Sequence, residues 1–357
     1  MEFSFGRSAT TLPPNDYNDY ETRTAYDHCL WLEQFHSWSV FVEELRQTVS
    51  EEIMKDMPPV TVARVLGYAI HLAPNDNGRD ALVRDILACE KDPELLAGVA
   101  HLYVYGLCRI FYNPKGPTPC VSTSQTPRLS LEAIAADKSL LSQSFSDIFD
   151  HEMKTAGGRS LLCGFERTTV AHIISQSLSE NISGSNAATQ AKFEWARTAG
   201  AMLQHFGGFK AYDLDNEILH SPKNVFTASQ NPHLLFEALS IWLTPVKDVH
   251  TQAIISNTYK LNHYYGDEYV PHAIPCAKPE VKFTGCTING TFIPPPDPWL
   301  LALHAACAGV TNMSGVVGYL EEYFWDMKSI AVMTEPLPTS KESHTTILVG
   351  VWPSSGR

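Results

Sequence analysis

The sequence predicts an α+β fold that is mainly helical: a helical N-terminal half, then a short strand–strand–helix unit embedded in further helices. Three observations carry this. Apolar residues recur at helical spacing in four segments between Tyr26 and Phe111. Another strongly helical run extends from Trp299 to Trp325. Between them, short β-like runs at Leu161-Leu162-Cys163 and Thr168-Thr169-Val170 precede an apolar segment that begins at Leu234.

Residues 1–20 are polar and rich in Pro, Asn and Asp, the composition of a mobile arm. A helical domain is expected over 21–155. Its first segment holds Trp31, Leu32, Phe35, Trp38 and Phe41; the second runs from Val60 to Leu72, directly after Pro58-Pro59. Asp80 to Cys89 and Pro93 to Phe111 form the third and fourth. Asn113-Pro114-Lys115-Gly116-Pro117-Thr118-Pro119 then breaks the pattern and marks a loose boundary. Leu129 to Met153 is helical again, until Gly157-Gly158. Over 156–330 the β-like runs come first, followed by an amphipathic helix at 187–206. Leu234 to Val246 reads as the unit's own helix and its exit, stopped by Pro245. Prolines 294–296 and Pro298 precede the last strong helix, and a polar tail occupies 331–357.

At 357 residues, with 44% hydrophobic and 18% charged, the chain has enough apolar material for one large core or two domains. It contains no run of 18 apolar residues, so no membrane span is expected. The N-terminus lacks the basic and apolar regions of a secretory signal, which points to a cytoplasmic protein. Eight cysteines are spread singly with no CxxC pair, the usage of free thiols in a reducing compartment. The net charge is −13, from 39 acidic and 26 basic residues. Residues 151–270 contain 9 Lys and Arg against 11 Asp and Glu, which leaves no electrostatic footprint for a nucleic acid.

The residues with most chemical content are Val170-Ala171-His172-Ile173-Ile174 and, fifty positions on, Asn224-Val225-Phe226 through His233 to Glu237. A His after a short apolar run, then an Asn, then a His on a helix is the order of an HNH (ββα-metal) finger. With Arg159 to Gly164, Ser240 to Val246, Asn257 to Lys260 and Pro296 to His304, these pieces resemble the fungal HNH-nuclease-like family over residues 159–330. The resemblance implies an HNH-like ββα finger embedded in helices, with His172 as general base, Asn224 as the residue that holds the loop and His233 as the helix residue. This chain departs from the family's pattern in four respects. Ala171 precedes His172 where a nuclease places a metal-binding carboxylate, Ser175 stands where a proline is common, Glu237 replaces the usual Asp after Phe236, and the hairpin from Cys163 to His172 is short. Mg²⁺ needs hard oxygen ligands, so the finger is expected to work without a metal or other cofactor, Mg²⁺ being the alternative for an active nuclease.

Trp242, Tyr259, Tyr264 and Tyr265 are the candidate substrate-contact residues, since aromatic faces with a few polar groups suit an apolar ligand. Phosphate loops, GxSxG elbows and HExxH motifs are absent. The leading expectation is an HNH-like scaffold recruited, as the fungal resemblance suggests, for secondary-metabolite biosynthesis. Such a pericyclase, Diels–Alderase-like, promotes cyclisation or rearrangement of an apolar small molecule by holding one folded conformer. The alternatives are a metal-dependent endonuclease and a non-catalytic interaction protein. Oligomeric state is not legible in the residues.

Overall fold

The core is built around one helix, Pro298–Ser314, which is buried on nearly all sides and packs on both the N-terminal helices and a β-sheet. A computed structural model describes residues 9–55, 57–112, 168–174, 200–208, 221–264, 280–288 and 291–320. Of these, 56% are helical, which gives the α+β, mainly helical class. The expected helix at 129–153, the β-like run at 161–163 and the tail at 331–357 lie outside the described residues.

Helices α1 (Tyr20–Leu32), α2 (Trp38–Leu45), α3 (Glu51–Lys55), α4 (Pro59–His71), α5 (Asp76–Ala88) and α6 (Pro93–Phe111) follow one another. Their starts are written in the sequence. Asp19, Ser37, Asn75 and Asp92 each accept a backbone N–H from the first turn, and Pro59 and Pro93 occupy first-turn positions that need no N–H. The two bonds from Thr22 hold the Asp19 carboxyl below its ordinary pKa. α6 contains a π-helical turn, Leu102–Cys108, which directs Tyr103, Val104, Leu107 and Cys108 into the core. It is also the one described helix long and apolar enough to cross a membrane, with 56% of that window buried in the fold.

Residues 9–19 are not a loose arm. Thr10 N–H donates to Met313 O at 2.9 Å, and the Tyr68 hydroxyl donates to Thr11 O at 2.6 Å. Leu12 is buried, its side chain filling the space left by the missing Cβ of Gly67. Glu33 accepts the Leu12 N–H at 3.0 Å and pairs with Arg64 at 2.7 Å. Polar composition suggested mobility, but one apolar residue and a half-buried carboxylate fasten the strap.

Helical residues 200–207 dock on α5 and α6. Asn75 Nδ2 donates to Gly207 O at 2.8 Å, and a Cβ on Gly78 would meet Phe206 O at 2.1 Å. Gly78→Ala therefore lowers stability by about 1–3 kcal/mol in thermal denaturation. Gly98→Ala, in an exposed helix interior with nothing within 4 Å of the added Cβ, raises it by about 0.5–1 kcal/mol. Equal effects at the two positions would refute this docking.

Two features of the second half depart from the sequence reading. The helix expected over 234–246 is the helix Gln230–Glu237 followed by a strand, β3 (Ile241–Lys247). Leu239, at φ 53°, ends the helical path, and Ile241 and Leu243 then point inward at period two. β3 pairs with β4 (Ile254–His263), and β4 with β5 (Glu280–Lys282), in one antiparallel sheet whose inner face packs on Pro298–Ser314. The helix expected to reach Trp325 is interrupted at Gly315, whose φ of 80° supplies a left-handed cap; residues 317–320 are helical again, and 321–325 lie outside the described residues. One hydrophobic cluster contains Tyr26, Leu66 and Leu107 together with Ile173, Phe236, Leu243 and Tyr259.

Candidate functional site

The site is assembled from β1 (Thr168–His172), β2 (Val225–Ser229) and the helix Gln230–Glu237, hereafter the finger helix. β1 and β2 pair antiparallel, with Ala171 opposite Phe226 and His172 opposite Val225. Strand alternation turns Ala171 and Ile173 into the core, at 0% and 1% exposure, and leaves His172 half-buried on the side of the exposed Val170.

The chain leaves β1 under the control of Asn224. Ile173 N–H donates to Asn224 O at 2.8 Å. Ile174 N–H donates to Asn224 Oδ1 at 2.8 Å, and Asn224 Nδ2 returns a bond to Ile174 O at 2.9 Å. The amide thus satisfies both backbone groups of one buried residue, and it is itself fully buried. Its own position is fixed by the 3₁₀ turn Pro222–Asn224, where Ser221 O accepts the Asn224 N–H at 2.9 Å.

On the finger helix, His233 and Glu237 lie one turn apart, with Nε2 3.1 Å from Oε1 and both side chains largely covered. The rings beneath this helix form a continuous stack. Phe226 meets Phe236 edge-on at 4.9 Å, and Phe236 lies flat on the His304 imidazole at 3.6 Å. His304 Nε2 donates to Phe236 O at 3.1 Å, and Asn312 Nδ2 donates to Leu239 O at 2.6 Å. Two polar side chains one stripe apart on Pro298–Ser314 therefore hold the end of the finger helix. Burial lowers the His304 pKa to about 3, with the bond to Phe236 O opposing. The sequence contained the sign of these pins, a His and an Asn eight positions apart on a largely apolar helix.

The candidate contact residues do not gather on one wall. Trp242, opposite Asn262, and Tyr259, opposite Pro245, lie on opposite faces of the β3–β4 sheet. Tyr259 is buried with its ring 5.7 Å from Phe283; burial, and next the nearby Asp297 carboxylate, raise its pKa. Tyr264 is half-buried and donates its backbone N–H to Ser240 O at 3.1 Å. Tyr265 is outside the described residues. An open groove of about 790 Å³ lies in the helical half, floored by Met57, Val62, Ala97 and Val99 and edged by Asp85 and Glu94.

Among the described residues, this unit offers few cation ligands. Position 171 has no ligating atom and faces the core, and the Glu237 carboxylate is engaged by His233. Among the described residues, no three His, Cys, Asp or Glu side chains come together as a metal-sized group. One carboxylate and one imidazole do not match the oxygen-rich set that Mg²⁺ takes. The chain matches no family model, no curated protein and no solved structure.

Proposed function

We propose that residues 168–240 form an HNH-like ββα finger recruited to act on an apolar small molecule, promoting its cyclisation or rearrangement without a cofactor. The observation that carries the reading is the Asn224 clamp: a buried amide joins the end of the His-bearing strand to the start of its partner, directly before a helix that bears the second His. That is the part the resemblance assigns to the Asn. Three further facts favour a small molecule over a polyanion: the net charge of −13, the inward-facing Ala171 and, among the described residues, Glu237 as the one carboxylate paired with His233. In this reading His172 supplies one hydrogen bond to a polar atom of the substrate, and the protein holds the reacting ends together. Proximity and one oriented donor are enough for a reaction that needs no nucleophile.

A metal-dependent endonuclease is the second reading, favoured by the His233–Glu237 pair, which places a nitrogen and an oxygen donor side by side on the helix. One experiment separates the two. Purified protein is incubated with plasmid DNA and Mg²⁺ or Mn²⁺, and in parallel with extracts of apolar polyene and terpenoid precursors analysed by mass and chromatographic shift. Conversion of a precursor to an isomer of equal mass, lost in His172→Ala with DNA left intact, is expected. Metal-dependent nicking that His172→Ala abolishes would replace the first reading with the second.

A further inference from the structure

We propose that His304 is an acid-released latch: as a neutral imidazole it pins the end of the finger helix to the helical body, and protonation lets that end go. The idea treats 168–240 as one finger, as above, but it concerns the finger's attachment and not its chemistry.

The geometry places His304 between two bodies. One flank is finger: the Phe236 ring stacked on it at 3.6 Å and the Phe236 carbonyl accepting its Nε2–H at 3.1 Å. The other is α6, where Phe111 meets it edge-on at 5.8 Å. Because a carbonyl takes the Nε2 proton, Nδ1 carries the lone pair, and this atom is buried with no hydrogen-bond partner among the described residues. A second proton would put a charged N–H where nothing accepts it.

Among the described residues, the surroundings offer no compensating negative charge. Cys307 on the same helix and Tyr103 on α6 are buried, and burial holds both well above their ordinary pKa values; Cys108 on α6 is buried beside them. Arg109 adds a cation on α6, while Arg64 on α4 is committed to Glu33 and His71 stands at the end of α4. Lys247 ends β3, and on the finger helix Glu237 is engaged by His233. None of the ion pairs among the described residues includes His304. Acid therefore acts by opening the contact so that the imidazole reaches water.

The direction follows from linkage. A histidine whose closed-state pKa is depressed to about 3, against about 6.5 when exposed, contributes stability that is fully present above pH 6.5 and is lost as pH falls towards 3. At pH 5 the opened finger is favoured about 30-fold more than at pH 8 by this group alone. The finger is the side expected to move, since it has two five-residue strands and an eight-residue helix, against the long helices of the body. Asn312 does not titrate, so Leu239 stays tethered while Phe236 lifts.

Hydrogen exchange of the full chain tests this, corrected for the intrinsic pH dependence of amide exchange. Between pH 8 and pH 5, peptides covering 230–240 should open about 30-fold more, with those of α4 and Pro298–Ser314 nearly unchanged. His304→Gln keeps a donor for Phe236 O without a titrating ring and should flatten the finger's profile. An unchanged pH profile in that variant would overturn the latch, as would acceleration of all peptides together. If His304→Gln does not fold, histidine-selective NMR of the native chain decides instead. A His304 ring still neutral at pH 5 in the closed form supports the latch, and one that protonates near pH 6 without finger opening refutes it. Neither readout depends on whether His172 proves catalytic.

Discussion

Asn224→Ala should unfold the finger at much lower urea concentration than the native chain. The substitution leaves the N–H and C=O of Ile174 without partners in a site of zero exposure, at an expected cost of about 3–5 kcal/mol. Asn224→Asp keeps the acceptor for the Ile174 N–H but sets a carboxylate against Ile174 O, so it should also be destabilised at neutral pH. Ser221→Ala, one turn earlier, removes only an exposed bond of 3.2 Å to Lys223 N–H and should cost less than about 1 kcal/mol. Urea midpoints for the three variants check the order. An Asn224→Ala midpoint close to the native one would mean that strand pairing alone holds the segment after His172.

The second large effect is expected at Phe236. Its ring is 2% exposed and fills the space between Phe226 and His304, so Phe236→Ala should cost about 3–5 kcal/mol through lost burial and the cavity that remains. Phe236→Leu refills most of the volume without the flat stack and should cost less than half as much. The two variants separate volume from ring contact. Thermal denaturation gives the size, and Trp242 fluorescence reports whether the adjoining sheet loosens with the finger. Equal costs for Ala and Leu would show that the stack on His304, and not the filling of space, does the holding.

How far the sequence reaches can be judged element by element. The helices from Pro59 and from Pro93 to Phe111 were legible because capping residues and prolines act within one turn of where they stand. β1 was legible from its threonines. Leu234 to Val246 was misread because Leu, Phe, Ile and Trp suit a helix and a buried strand equally; the divide at Leu239 is a backbone turn with no residue signature of its own. The strands β4 and β5, and the hairpin of β6 (Cys286–Ile288) and β7 (Thr291–Ile293), were also missed. They are half-exposed and carry polar residues, so no run of apolar residues marks them even though β3–β4 and β6–β7 pair as neighbours in sequence. At the site, the order His172, Asn224, His233 was visible as spacing. The bonds between Asn224 and Ile174, across fifty residues, were not visible in the sequence, because nothing local marks Ile174 as the partner.

By itself the sequence determined the helical character of the first half, the alanine before His172 and the acidic balance, since each is a property of residue type or local pattern. Only the tertiary structure decided that residues 9–19 strap the body, that Trp242 and Tyr259 face opposite ways, and that His304 and Asn312 hold the finger helix. The physical reason is that a buried polar side chain takes whichever partner three-dimensional packing brings to it, and that partner can lie anywhere along the chain.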